Sequence, residues 1–187
     1  MPDAVLTQGA AQEQGAARGQ AAGQPTLIRH GRLEADTWRR FEPSGDAATP
    51  PDDGDWLVPL STWLEAKDTL RARRHPVGIL FGPDDDPREL AEDGKFDVDG
   101  VALIAVDFPV YTDGRGYSIA QVLRTRLGWR GELRAVGDVM IDTIHYQARC
   151  GFDSFLLKPG HDPQLGLQAF QLFTAHYQKT YPKPAAA

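Results

Sequence analysis

Four apolar runs, separated by segments of helical character, constrain the fold of this 187-residue chain more than any other feature. They are VGILF at 77–81, VALIAVDF at 101–108, ELRAV at 132–136 and FDSFLL at 152–157. Three of them are almost wholly apolar, which is typical of strands covered on both faces in a parallel sheet. Right-handed crossovers place successive strands side by side. The sequence therefore predicts an α/β fold of alternating strand-helix units with a mainly parallel sheet, open or half-barrel-like (TIM-like), since too few strands are visible for a complete barrel.

The two ends of the chain differ in composition from its middle. Residues 1–25 are rich in Ala, Gln and Gly and have no apolar periodicity, so we expect a disordered tail there. We expect residues 26–180 to form a single α/β domain and residues 181–187 to be a frayed end. Within the domain, residues 26–38 predict a hairpin that turns at Gly31, and the Pro, Gly and Asp of residues 42–55 predict a polar loop.

Charge and cysteine content exclude several classes of protein. The formal net charge is -6 and no run of Lys or Arg occurs, which argues against a nucleic-acid partner. No segment approaches the roughly 18 apolar residues of a membrane span, and residues 1–25 lack the basic start and apolar segment of a signal peptide. We therefore expect a cytoplasmic protein with no membrane partner. A single cysteine, Cys150, allows neither an internal disulfide nor a dithiol redox pair.

No cofactor motif is recognisable in the sequence. GRGYSI at 114–119 begins like a dinucleotide fingerprint, but Ile119 stands where that fingerprint needs a small residue for helix-strand packing. No phosphate-binding Gly-x-x-x-x-Gly-Lys-Ser/Thr motif occurs either. We therefore expect neither a nicotinamide site nor a nucleoside triphosphate site, and we predict no cofactor and no bound metal.

Charged residues and glycines follow the predicted strands. In parallel α/β folds, the loops that leave the carboxyl ends of the strands lie at one edge of the sheet, and ligands bind there. The residues that follow the second, third and fourth strands in this way are Asp107, Asp113, Gly114, Arg115, Gly116, Asp138 and Lys158. We expect these seven residues to form a site that binds a ligand or a partner.

Arg115 has two possible roles in that site. A guanidinium between two glycines, near the free N–H groups of a helix start, would suit a carboxylate, a phosphate or a sulfur oxyanion. Alternatively, Arg115 pairs with Asp107, Asp113 or Asp138 and only joins two loops. The sequence leaves both roles open.

The segment 138–150 predicts a helix with a polar face. Asp138, Asp142, His145 and Arg149 fall on one side of that helix. A His beside an Asp can act as an acid-base pair, but a surface helix with ordinary ion pairs has the same pattern. Asp142 and His145 are too few ligands for a metal.

Five motifs of the sequence carry a resemblance to a known family. They are LVPLSTW at 57–63, PDDDP at 83–87, DFPVYTDGRGYSIAQVLR at 107–124, GELRAVGDV at 131–139 and RCGFDSF at 149–155. Together they resemble a bacterial family of unknown function, domain-of-unknown-function family 934, whose members are commonly described as oxidoreductases of sulfite reduction. The resemblance covers about residues 27–158 and implies a role in sulfite reduction. The resemblance does not identify any catalytic residues in this chain. Thr143 and His145 depart from the family pattern, so His145 is not expected to be a shared catalytic group.

Resemblance and residues together give three hypotheses. The first is an accessory protein of assimilatory sulfite reduction, acting with sulfite reductase or its electron donor, since a lone thiol cannot cycle two electrons by itself. The second is an enzyme for a small anion, in which Arg115 and Lys158 bind the anion and a carboxylate acts as base. The third is an inert fold whose loops are held together by ion pairs.

Overall fold

The computed structural model describes residues 26–44, 47–92 and 94–170. Its strands are β1 Thr26–Arg29, β2 Arg32–Ala35, β3 Arg39–Arg40, β4 Trp56–Pro59, β5 Val77–Phe81, β6 Ala91–Glu92, β7 Lys95–Phe96, β8 Val101–Phe108, β9 Glu132–Gly137 and β10 Ser154–Leu156. Eight of them form one sheet in the order β2-β1-β10-β9-β8-β5-β4-β3, and β6 pairs with β7. The predicted tail at 1–25 and the predicted frayed end at 181–187 lie outside the described residues.

The sheet is mostly parallel. The six strands from β10 across to β3 pair in parallel, whereas β1 is antiparallel to β10 and β2 is antiparallel to β1. The sheet curls like a half-barrel, and its two edge strands, β2 and β3, are not paired with each other. The prediction of a mainly parallel, half-barrel-like α/β fold is confirmed.

Local signals in the sequence account for part of this sheet. The hairpin of β1 and β2 turns at His30 and Gly31, which both have positive φ (49° and 71°), the backbone geometry of a tight two-residue turn. The strands β5 and β8 have the predicted bounds. Both β3 and β4 were missed, because β3 consists of two charged residues and β4 runs into the following helix with no turn residue between them.

Within the described residues, three α-helices and one 3-10 turn lie between strands, and a fourth α-helix follows the last strand. They are α1 Leu60–Arg71, the 3-10 turn Pro87–Leu90, α2 Arg115–Thr125, α3 Ile144–Arg149 and α4 Pro163–Ala169. The side chain of Asp162 accepts from the Gln164 backbone N–H and caps the start of α4, and residues beyond 170 lie outside the described part of the chain.

The helix predicted over 138–150 is wrong in its first half. Only α3 is helical, so Asp138 and Asp142 precede the helix and share no helical face with His145 and Arg149. The helix does not start at Asp138 because the backbone N–H of Asp138 donates to Phe108 O at 2.7 Å, which holds this residue beside the end of β8.

Buried apolar residues cover both faces of the sheet, and one face carries a much larger cluster than the other. The larger cluster packs α1, α2 and α3 against alternate residues of the central strands, such as Ile79, Ile104 and Leu133. The other face carries a smaller apolar layer made of Leu57, Leu80, Leu103, Ala105 and Val136. Because both faces of the central strands are buried, their near-continuous apolar sequences are explained.

Candidate functional site

The loops at the carboxyl ends of the parallel strands lie along one edge of the sheet. We call this the strand-end edge and define it as residues 40–43, 82–86, 107–115, 138 and 158, which end or follow β3, β5, β8, β9 and β10. All seven residues predicted from sequence belong to it or, in the case of Gly116, directly follow it. The structure groups their charged side chains into three separate sets of ion pairs.

Arg115 forms the first set. Its Nε lies 3.0 Å from Asp113 Oδ1 and its Nη2 lies 2.7 Å from Asp113 Oδ2, while Nη1 contacts Asp84. Asp113 Oδ1 also accepts from the Arg115 backbone N–H at 3.0 Å, in the first turn of α2. The hydrogen bonds from the Arg115 side chain and backbone lower the pKa of Asp113 to about 2. Arg115 therefore joins the loop after β5 to the loop after β8.

Asp138 and Lys158 form the second set. Lys158 Nζ lies 2.6 Å from Asp138 Oδ1, and the Tyr111 backbone N–H donates to Asp138 Oδ2 at 3.0 Å. The ion pair with Lys158 and the hydrogen bond from the Tyr111 N–H lower the pKa of Asp138. These contacts connect the loops that follow β8, β9 and β10.

Asp107 belongs to the third set. Arg40 Nη2 lies 2.8 Å from Asp107 Oδ1, which joins the end of β3 to the end of β8. Of the three partners foreseen for Arg115, Asp113 is the one it has, whereas Asp107 and Asp138 pair elsewhere. The sequence did not predict Asp84 as a partner, because neighbouring strands bring the two loops together without specifying which of their side chains meet.

The two glycines beside Arg115 differ in their surroundings. A Cβ at Gly116 would lie 2.6 Å from the Phe108 ring, so packing of α2 on the end of β8 requires a glycine there. A Cβ at Gly114 would meet nothing within 4 Å. Neither glycine has a positive φ, so the backbone conformation does not require glycine at either position.

A cleft of about 330 Å³ opens at the ends of β3, β4, β5 and β8. Its apolar walls come from Phe41, Pro43, Pro59 and Leu80, and its charged lining comes from Arg40, Glu42, Asp85 and Asp107. Of the seven residues predicted from sequence, the cleft contains Asp107. Arg40, Phe41, Glu42, Pro43 and Pro59 could not be assigned to this edge, because β3 and β4 gave no strand signal. Gly82 and Asp85 follow the predicted strand β5, and sequence reasoning did not include them among the site residues.

The comparison with family models identifies the chain's relatives. A family described as "Bacterial protein of unknown function (DUF934)" matches residues 78–187. The chain belongs to this family. The match includes all of β5 but its first residue, Val77, and all of β8, β9 and β10, together with the seven predicted site residues. No curated protein and no solved structure matches the chain.

Exposed apolar side chains stand among the ion pairs of this DUF934 protein. Val110 and Tyr111, in the loop after β8, are 51% and 50% exposed. Tyr146 on α3 is 53% exposed, and its ring centroid lies 5.2 Å from that of Tyr117 at the start of α2. Val110 and Tyr111 are adjacent in the chain, and contiguous exposed apolar groups rimmed by polar ones are typical of surfaces that bind proteins.

The cysteine of this family member lies away from the surface. Cys150 is 8% exposed and follows α3, and burial raises the pKa of its thiol. Within residues 26–44, 47–92 and 94–170, no three His, Cys, Asp or Glu side chains are placed to hold a metal ion together. Over the same ranges, no helix is both long and apolar enough to cross a membrane.

Proposed function

We propose that this protein is an accessory protein of assimilatory sulfite reduction, acting with sulfite reductase or its electron donor and not as an independent redox enzyme. The observation that carries the mode of action is the exposure of Val110 and Tyr111 on a loop fixed by ion pairs. The resemblance of five motifs to a family described in terms of sulfite reduction supports the choice of pathway.

The ion pairs around the loop after β8 support a preorganised surface. Asp138 holds the Tyr111 backbone on one side, and Arg115 holds Asp113 on the other. A loop that is already ordered loses less conformational entropy when a partner binds it. Tyr111 can therefore act as an aromatic anchor, one of the side chain types that contribute most to binding energy at interfaces.

The charges on the strand-end edge support steering of a partner. Arg115 and Asp84 are 53% and 87% exposed at their side chains, so their pairing contributes little to folding. Exposed charges next to an apolar anchor raise the rate of association and select partners of complementary charge. The buried thiol of Cys150, with its raised pKa, is poorly suited to direct redox chemistry, which favours action through a partner.

The small-anion enzyme receives less support from the same geometry. Arg115 and Lys158, the two cations assigned to the anion, each pair with a carboxylate, and neither lines the cleft. Of the carboxylates assigned to that enzyme, Asp107 lines the cleft, and it pairs with Arg40.

Growth of a deletion strain of the host tests the proposal. The strain should fail on sulfate and on sulfite as sole sulfur source, grow on sulfide, and recover when the gene is restored on a plasmid. Normal growth of the deletion strain on all three sulfur sources would show that the protein has no necessary role in sulfite reduction.

A further inference from the structure

We propose that the cleft at the ends of β3, β4, β5 and β8 receives a basic side chain, lysine or arginine, of the partner protein. This inference rests on the proposed function, because it names the chemistry that the partner of the strand-end edge presents. The argument uses the shape of the cleft, its charges and its connection to the loop that carries Tyr111.

The shape of the cleft suits a long side chain with an apolar stem. Its volume of about 330 Å³ lies at the lower end of the range for binding clefts. Phe41, Pro59 and Leu80 provide apolar walls for methylene groups. Lysine and arginine bury such stems against apolar surface while their charged ends contact polar groups. The Phe41 ring can add a cation-π contact to the charged end.

The charges of the cleft favour a cation. Glu42, Asp85 and Asp107 stand against the single guanidinium of Arg40. Arg40 pairs with Asp107, which leaves the other two carboxylates as the excess charge. Asp85 Oδ2 accepts from the Gly82 backbone N–H at 2.7 Å, and Glu42 is exposed. A cationic group of the partner would neutralise this excess.

The position of the cleft favours a protein side chain over a free small cation. Asp85 lines the cleft, and its neighbour Asp84 pairs with Arg115 on the same edge. Arg115 in turn holds Asp113, in the loop that exposes Val110 and Tyr111. One partner surface can therefore cover the apolar loop and place a basic side chain in the cleft.

Titration of the full chain with N-acetyl-arginine amide, followed by NMR, tests the charge and shape of the cleft. We expect millimolar binding with shifts at Glu42 and Gly82, and none with the neutral N-acetyl-citrulline amide. Glu42→Gln and Asp85→Asn should each weaken binding about threefold, and together about tenfold, since each removes one charge. An asparagine at position 85 keeps an oxygen for the Gly82 N–H, so the loop stays folded.

The matched control is Asp99→Asn, which removes the same charge just before β8, at the opposite end of the strand from the cleft. Binding of the arginine probe should be unchanged in this variant. Equal binding of the citrulline probe, or equal weakening by Asp99→Asn, would overturn the proposal. Free guanidinium ion binding as tightly as the arginine probe would also overturn it, in favour of a small-cation site.

Binding of purified sulfite reductase from the same host separates this inference from the proposed function. We expect the Glu42→Gln/Asp85→Asn variant to bind the reductase about tenfold more weakly than the wild type. Unchanged binding by this variant would overturn the cleft assignment and leave the proposed function standing. If the wild type binds neither the reductase nor its electron donor while the arginine probe still binds, the proposed function fails and the cleft chemistry is supported.

Discussion

Two arginine-carboxylate clusters of this protein have similar chemistry and opposite surroundings. Arg134, in the middle of β9, has a side chain 2% exposed and contacts Asp36 at 2.7 Å and Glu132 at 2.8 Å. Arg115, on the strand-end edge, has a side chain 53% exposed and contacts Asp113 and Asp84. Each guanidinium contacts two carboxylates, and the difference lies in the burial of the guanidinium itself. Asp113, with a side chain 11% exposed, is as buried as Asp36 and Glu132, whereas Asp84 is 87% exposed.

Burial decides what each cluster contributes. Ser154 Oγ donates to Glu132 Oε1 at 2.6 Å and Arg29 Nε lies 3.3 Å from Glu132 Oε2, so the buried cluster extends across β1, β9 and β10. Burial alone would raise the pKa of Glu132, but Arg134, Ser154 and Arg29 together lower it. Removing one member of such a buried set leaves an uncompensated charge. Arg115 and Asp84 are exposed, so water can replace their contact at little cost in free energy. Both side chains therefore remain available to bind a partner.

The largest effect should follow loss of the buried guanidinium. Arg134→Met leaves the carboxylates of Asp36 and Glu132 without the guanidinium that neutralises them, and we expect it to lower the free energy of unfolding by about 3–5 kcal/mol. Urea denaturation measures this loss. Arg88→Met is the control, because Arg88 pairs with Asp86 and is 76% exposed at its side chain. A loss for Arg134→Met no larger than that of the control would remove the distinction between the clusters.

A smaller effect should separate the two glycines beside Arg115. Gly116→Ala drives a Cβ into the Phe108 ring, and we expect a loss of about 1–3 kcal/mol in the free energy of unfolding. Gly114→Ala meets no neighbour, and its backbone already has the helical region's φ of -80°. It should be neutral or stabilise the fold by up to about 1 kcal/mol. Equal losses in the two variants would contradict this description of the packing.

Loss of the exposed guanidinium should change binding and leave stability nearly unaltered. In Arg115→Ala, Asp84 is already exposed and Asp113 keeps the hydrogen bond from the backbone N–H of residue 115, so the urea midpoint should fall far less than in Arg134→Met. The deletion strain carrying this variant should grow poorly on sulfite. A fall in the urea midpoint comparable to that of Arg134→Met would assign Arg115 a structural role.

The smallest effect concerns the titration of Asp113. Its pKa lies at about 2, below the ordinary value of 3.8, so its pairing with Arg115 stabilises the folded chain above the ordinary pKa. That contribution is lost as the pH falls from about 4 towards 2. NMR of the carboxyl carbon should find the low midpoint in the wild type and a midpoint nearer the ordinary value in Arg115→Ala. The same midpoint in both proteins would contradict the pairing.

The sequence predicts the central strands better than it predicts the site. Continuous apolar runs identify β5 and β8 to the residue, because the length and composition of each run reflect burial on both faces. The partners of Arg134 could not be foreseen, since Asp36 lies 98 positions away along the chain. The sequence predicts that β5 and β8 are neighbours in the sheet, and they are, but it does not specify which side chains of the two following loops meet, so the pairing of Arg115 with Asp84 was not predicted.

Binding of purified sulfite reductase to the wild type and to Tyr111→Ser tests the central claim most directly. The claim is that the strand-end edge binds a partner, with the exposed Tyr111 as its anchor. We expect measurable binding by the wild type and at least a tenfold weaker complex for Tyr111→Ser, with the urea midpoint unchanged. Equal affinity of the two proteins for the reductase would contradict the claim.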